Sequence, residues 1–429
     1  MDAVRESAMR SKDASFAMQG LSRESRDQAL QAVAEGLVVD ADRIVAANRE
    51  DMAEAEGQGL SKVLIKRLSY DHAKIEESVR SIHSLMAQED PVGKLLASTE
   101  LDTGLVLEKV TCPIGVIAVI FESRPDALVQ ISTLCLKSGN AVILKGGSEA
   151  KRTNQALAGS IISSIRKVDE RFHDAVQLLS SREEVQRLLA QDDLVDLIIP
   201  RGSNELVRSI QSSTRIPVLG HAAGVCHTYV DSEADLEMAV DVCYDAKVQY
   251  PAVCNAMETL LVHRSVAKEF LPRMASRYAM AKVELRGDEE TRRIIEANEA
   301  SEADWSTEYN DLVLAIKVVP SLEEAVHHIN RYGSHHSDAI ITKDGEKAQA
   351  FMSSVDSSSV MWNCSTRFAD GYRYGLGAEV GISTNKTHAR GPVGLEGLVI
   401  YKWRLYGKGH VVSDYVGPEA RAFKHRKLT

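Results

Sequence analysis

The segment Ile114-Gly-Val-Ile-Ala-Val-Ile-Phe121 and its echo Ala141-Val-Ile-Leu-Lys145-Gly-Gly-Ser148 decide the fold. Neither strand-like run alternates between apolar and polar residues. Each therefore reads as a strand covered on both faces, as in a parallel sheet. Between them Leu128, Ile131 and Leu134/Cys135 mark one helical face. That helix is predicted to close at Gly139, where a left-handed cap meets no Cβ. Val176-Gln-Leu-Leu179 and the run from Leu194 to Ile199 repeat the cycle, each followed by a helical stretch. Alternation at this spacing predicts an α/β, doubly wound parallel sheet with ligands at the carboxyl ends of its strands.

Upstream, residues 1–90 read as helices. Leu30, Val33 and Leu37 share one face, as do Ile75, Val79, Ile82 and Met86. From Leu96 to Thr111 the pattern changes to two strand-like runs around the turn Asp102-Thr103-Gly104, flanked by Pro91 and Pro113. This hairpin is expected to project from the main body. Downstream, a second alternating region runs from about 225 to 390, with strands at Val225–Val230, Thr259–Val262, Ala315–Val319 and Ala339–Thr342. After the glycine-rich stretch Gly371–Gly381, the tail from Leu398 to Val412 has strand composition again, with Tyr401, Trp403 and Tyr406 among Lys402, Arg404 and Lys408.

A chain of 429 residues exceeds what one core usually serves, so at least two domains are expected. Its 51 basic and 61 acidic residues leave a net charge of −10, which lacks the footprint of a nucleic-acid binder. No apolar run approaches the roughly 18–20 residues of a membrane span. The opening Met1-Asp-Ala-Val-Arg5 has no signal-peptide core. A cytoplasmic protein acting on a small molecule is expected. Six cysteines form no C-x-x-C pair, so a zinc ribbon or thioredoxin-type motif is absent. Metalloprotease, P-loop and nucleophile-elbow motifs are missing as well.

Cysteine is the first candidate nucleophile. Cys135 and Cys243 fall on helices and Cys112 and Cys226 in strand-like runs, where packing explains them; Cys364 lies in a polar turn. Cys254, in Tyr250-Pro-Ala-Val-Cys254-Asn255, follows a helix-breaking proline and precedes a strand. A thiol at such a junction meets backbone N–H groups that lower its pKa and cradle an oxyanion; a packed cysteine is the plainer alternative. Leu144-Lys-Gly-Gly-Ser148 and Pro200-Arg-Gly-Ser-Asn204 each join a strand to a helix, where phosphate meets backbone N–H groups. Tight turns use the same residues for steric reasons alone. His221 follows Leu219-Gly220 and is a candidate to face a cleft, whereas His335-His336 read as solvated loop histidines. Arg367 is suited either to bidentate binding of a carboxylate or phosphate or to a surface salt bridge.

Taken in order, Phe121-Glu-Ser-Arg-Pro-Asp126, Leu144-Lys-Gly-Gly147, Ile199-Pro-Arg-Gly-Ser-Asn204, Pro217-Val-Leu-Gly-His221, Cys254-Asn-Ala-Met-Glu258, Ser365-Thr-Arg-Phe-Ala-Asp370 and His388-Ala-Arg-Gly-Pro392 closely resemble the gamma-glutamyl phosphate reductases of the aldehyde dehydrogenase superfamily. The resemblance spans nearly the whole chain and extends to the C-terminal half of bifunctional proline-synthesis enzymes, whose kinase half is not in this sequence. It implies an aldehyde dehydrogenase-like fold: a dinucleotide-binding domain (1–95 and 113–228), a catalytic domain (229–395) and an oligomerisation flap (96–112 and 396–418). It also implies a homodimer or homotetramer, and a glutamate 5-kinase as working partner.

The implied reaction is NADPH-dependent reduction of L-glutamyl 5-phosphate to L-glutamate 5-semialdehyde and phosphate, through a thioester on Cys254. Ser123 stands where the superfamily places an oxyanion-binding asparagine. Lys145 matches the lysine on the adenosine ribose. Ser148 replaces the glutamate with which many NAD-preferring relatives contact the 2′-hydroxyl, which suits NADP(H). Gly202 and Ser203 match the turn beside the pyrophosphate, and Glu308 the contact to the nicotinamide ribose. Arg124, Ser365, Thr366 and Arg367 are the candidates for gripping substrate. One departure is informative: Val218 stands where hydrolytic relatives carry a general-base glutamate, which favours phosphorolysis over hydrolysis. A hydrolytic aldehyde dehydrogenase and a non-catalytic scaffold are the alternative readings.

Overall fold

A computed structural model describes residues 2–60, 62–122, 124–221 and 223–429. Helices Ala3–Met18, Arg23–Val39, Ala41–Gly57, Lys62–Leu68 and His72–Ala87 come first. Asp2, Ser22 and Asp71 cap three of them, each side chain accepting a backbone N–H that the first turn leaves unpaired. The predicted hairpin follows as β1 (Leu95–Asp102) and β2 (Leu105–Pro113), turning at Gly104 with φ +78°.

The first parallel sheet comprises β3 (Val116–Phe121), β4 (Ala141–Lys145), β5 (Val176–Leu178) and β6 (Leu197–Arg201), in the order β5-β4-β3-β6. All six residues of β3 are buried, as its unbroken apolar run requires. Gly139 adopts φ +75° after the helix Pro125–Lys137, and a Cβ there would lie 2.9 Å from Pro113. Helices Ala3–Met18, Arg23–Val39, Ala41–Gly57 and His72–Ala87 pack with this sheet into one apolar core, while Leu68 joins a small separate cluster with Ala55 and Ala150. Polar groups enter that layer in pairs: Arg26 bonds Asp90 at 2.6 Å, and the buried Lys137 pairs with Asp27.

The second parallel sheet holds β7 (Cys226–Val230), β8 (Met257–His263), β9 (Glu284–Gly287), β10 (Asn298–Glu299), β11 (Val313–Val319), β12 (Ser337–Ile341) and β13 (Ser359–Trp362). Its order is β10-β9-β11-β8-β7-β12-β13. The short β9 and β10 have little apolar patterning and escape a reading by periodicity. The chain closes through β14 (Ile382–Ser383), β15 (Gly391–Pro392), β16 (Val399–Tyr406) and β17 (Arg426–Lys427). Strands β16 and β17 join the hairpin in an antiparallel sheet ordered β16-β2-β1-β17, which leaves β16 at an edge.

Candidate active site

Cys254 sits in the turn between the helix Leu236–Val248 and β8, half-buried at the amino edge of the second sheet. Neighbouring chain is packed tightly around this turn. A Cβ on Gly224 would stand 2.1 Å from the Cys254 carbonyl oxygen and 2.5 Å from its Cα, so only glycine fits there. Cys226 Sγ donates to the Cys254 carbonyl at 3.2 Å. Thr366 Oγ1 donates to the Asn255 carbonyl at 2.7 Å, and Asn255 Nδ2 donates to the Ala369 carbonyl at 2.9 Å. The turn carrying the thiol is thus held by the segment Ser365–Ala369. Thr366 is fully buried with its hydroxyl spent in this way, while Ser365 Oγ accepts the Arg367 N–H.

Two histidines flank the sulfur. The Cys254 Sγ and one ring nitrogen each of His221 and His336 lie within 4.8 Å of one another. His336 is fully buried, which overturns its reading as a solvated loop histidine. Its neighbour Ser337 opens β12, and β12 pairs with β7 on one side and β13 on the other, so the segment runs inside the sheet.

Arginines supply positive charge. Arg201 ends β6, and burial lowers its pKa while Glu379 and Cys254 oppose that shift and Arg124 adds to it. Arg367 is buried rather than in a surface salt bridge, its Nε donating to Gln249 Oε1 at 3.0 Å. Burial lowers its pKa too, and Cys254 is among the groups that pull it back. Arg201 and Arg367 are thus each coupled to the thiol, and Arg124 to Arg201. The carboxyl edge of the first sheet faces the amino edge of the second across the thiol.

The aldehyde dehydrogenase family model matches residues 2–304. A gamma-glutamyl phosphate reductase of Pelotomaculum thermopropionicum is 57% identical over 425 residues, covering 99% of this chain and 98% of that protein. The chain belongs to the aldehyde dehydrogenase family, among its gamma-glutamyl phosphate reductases. The crystal structure of gamma-glutamyl phosphate reductase from Thermotoga maritima superposes with a TM-score of 0.93 at 39% identity, covering 96% of this chain and 100% of that one. An engineered glycolyl-CoA reductase with bound NADP+ shares the fold at a TM-score of 0.64 and 14% identity, covering 94% of this chain and 96% of that one.

In this member of the family, most of the residues expected at the cofactor come together at the carboxyl edge of the first sheet. Lys145 ends β4, half-buried; burial lowers its pKa, with Glu149 and Glu122 drawing it back up. Ser203 caps the helix Asn204–Ser213 with its side chain, and its own N–H donates to Glu122 Oε2 at 2.9 Å. A Cβ on Gly202 would lie 2.5 Å from that same oxygen. Asn204 Nδ2 donates to Glu308 Oε2 at 2.7 Å, which brings Glu308 to the end of this turn. Ser148 is exposed where a short 3-10 turn opens. Ser123 lies outside the described residues. The sequence alone assigns no role to His336, to Glu122, which lies inside the Phe121–Asp126 segment, or to the buried pair Lys247–Glu258, 2.6 Å apart. Glu258 was visible only as the last residue of a family segment.

Proposed function

We propose that the chain reduces L-glutamyl 5-phosphate to L-glutamate 5-semialdehyde and phosphate with NADPH, serving proline biosynthesis. The observation that carries this reading is the half-buried Cys254 thiol beside His221 and His336, with Arg201 and Arg367 electrostatically coupled to it and no carboxylate at the Val218 position. The substrate brings an acyl phosphate and an α-carboxylate, two anions for which Arg124, Arg201 and Arg367 are the proposed counter-charges. Ser365 is a further candidate to orient it; Thr366 acts by fixing the nucleophile's turn.

Cys254 enters the reaction as thiolate, its proton taken up within the His221–His336 cluster. Sulfur attacks the γ-carbonyl carbon, the C–S bond forms, and the C–O bond to phosphate breaks with its electron pair leaving on phosphate. A thioester remains. The nicotinamide, when bound, supplies the hydride that reduces the thioester carbon. The Cys254 N–H and Ser123 are the proposed donors to the oxyanion that forms at each stage. Collapse then breaks the C–S bond, frees the aldehyde and returns the thiolate. With Val218 in place of a carboxylate, no general base stands there to activate water against the thioester.

Lys145, Ser148, Gly202, Ser203 and Glu308 are the residues proposed to hold NADPH. The Ser203 N–H already takes a carboxylate oxygen, so this turn suits an anion such as a pyrophosphate. Ser148 places no acid opposite a 2′-phosphate. NADP+ bound to the engineered glycolyl-CoA reductase of the same fold supports a nicotinamide cofactor. We also propose domain limits of 1–95 with 113–228, 229–395, and 96–112 with 396–418. The last of these is an oligomerisation flap, because β16 is an open edge with Tyr401, Trp403 and Leu405 exposed. A homodimer or homotetramer would cover that edge. An acyl phosphate must come from phosphorylation of a carboxylate, the step of a glutamate 5-kinase, and the cytoplasm is the expected compartment.

The test is phosphate-dependent reduction of NADP+ by glutamate 5-semialdehyde, followed at the NADPH absorbance. The parent chain should require phosphate, and Cys254→Ala should lose activity by about 10^4-fold or more. Phosphate-independent oxidation would point instead to the hydrolytic reading, and equal activity in Cys254→Ala would end the thioester mechanism.

A further inference from the structure

We infer that Cys254, His221 and His336 form a site for one thiophilic divalent cation, of which Zn2+ is the type. The sulfur and the two imidazole nitrogens lie within 4.8 Å of one another. Tetrahedral Zn2+ with these donors holds its ligand atoms about 3.3–3.6 Å apart, so a small rotation of the half-buried His221 ring or the thiol closes the set.

Hydrogen bonding fixes the His221 ring as a ligand, and His336 turns an unpartnered ring nitrogen into the same interior. His221 Nδ1 lies 2.8 Å from the Ile382 carbonyl oxygen. A carbonyl only accepts, so Nδ1 carries the hydrogen and Nε2 presents a lone pair. His336 Nδ1 lies 2.8 Å from Ser337 Oγ and 3.8 Å from Cys226 Sγ, while its Nε2 is buried with no partner among the described residues. A metal-binding histidine ordinarily has its second nitrogen engaged in this manner. The rings meet edge-on with centroids 4.9 Å apart, so both nitrogens address one region. One thiolate and two imidazoles select Zn2+, Cd2+ or Co2+ over Mg2+ or Ca2+, which want oxygen. Three protein ligands leave a fourth position for water.

Capture of the cation occupies the sulfur lone pair needed for attack on the acyl phosphate, so turnover stops until a chelator removes the metal. That consequence rests on the proposed function; ligation itself does not. Co2+ serves as the probe, titrated into the reduced chain in thiol-free buffer. The parent should take up one equivalent, with thiolate-to-cobalt absorption in the near ultraviolet and tetrahedral bands in the visible, all reversed by a chelator. Cys254→Ser should lose the near-ultraviolet band. His221→Ala, a change at a half-buried ring, should weaken binding at least about tenfold, as should His336→Gln if it folds. An unchanged spectrum in Cys254→Ser overturns the site, as does a parent with a reactive Cys254 thiol but no thiolate band. A chain that binds Co2+ through Cys254 yet lacks reductase activity would keep the site and remove the proposed function.

Discussion

The two parallel sheets are built from different chemistry. In the first, β3 and the opening residues of β4 and β6 are uniformly apolar and buried, and cations appear only at the carboxyl edge, as Lys145 and Arg201. In the second, buried polar side chains occupy the amino halves of the strands: His227 and Thr228 on β7, Glu258 and Thr259 on β8, Ser337 and Asp338 on β12. Cys254 lies where these polar edges meet, while a second buried polar pair, Asp231 and Thr342, closes the carboxyl ends of β7 and β12. The first sheet is stabilised by hydrocarbon, whereas the second carries buried polar groups, some paired, as Lys247–Glu258, and some, as Thr228 Oγ1, without a hydrogen-bond partner among the described residues. Their responses to substitution and to pH should differ accordingly.

The largest expected difference concerns the pair Lys247–Glu258, fully buried and 2.6 Å apart. Burial pushes the Glu258 carboxyl up, to about 7, even with the ammonium beside it. Glu258→Ala leaves the ammonium buried without its partner and should cost about 3–5 kcal/mol in urea unfolding. Lys247→Met combined with Glu258→Leu removes both groups and should recover most of that loss. Equal destabilisation of the single and double variants would show that packing, not the unpaired charge, sets the cost.

His328 gives the next largest effect, and it depends on pH. Burial drives its pKa from 6.5 down to about 2, with His227, Lys317, His327 and Arg331 pushing the same way. The folded ring stays neutral while the unfolded ring takes a proton below about 6.5, so this contribution is present above that pH and lost as pH falls. The slope approaches about 1.4 kcal/mol per pH unit, giving roughly 2 kcal/mol lost by pH 5. Between pH 7.5 and 5 the unfolding free energy of the parent should fall by about 2 kcal/mol more than that of His328→Phe. Parallel curves would remove His328 from the account.

Legibility in the sequence follows the same division. Strands β3 and β4, the cap at Gly139 and the hairpin turn at Gly104 could be read because one local pattern, apolar continuity or a required positive φ, fixes each of them. Cys254 stood out through its place between a proline and a strand. His336 did not, because Gly333-Ser334-His335-His336 looks like any polar turn, and only the pairing of β12 with strands distant in the chain buries it. Arg367 was similarly ambiguous until Gln249, 118 positions away in sequence, was seen to accept its Nε–H. Long-range partners decide whether a polar residue is a solvated surface group or part of a site, and no local pattern records them.

The smallest predictions give the comparison its sign. Ile143, 1% exposed at the centre of β4, loses a methylene in Ile143→Val and should cost about 0.5–1.5 kcal/mol, with no pH dependence. Thr228, at the matching depth of β7, is fully buried, and its Oγ1 finds no hydrogen-bond partner among the described residues. Thr228→Val keeps the shape and removes a hydroxyl that folding desolvates without return, so it should stabilise the chain by about 1 kcal/mol. One methyl-scale change in each sheet thus moves the urea midpoint in opposite directions. Loss of stability in both would mean that the Thr228 hydroxyl is bonded in the folded protein, and that the second sheet has no excess of uncompensated polar groups.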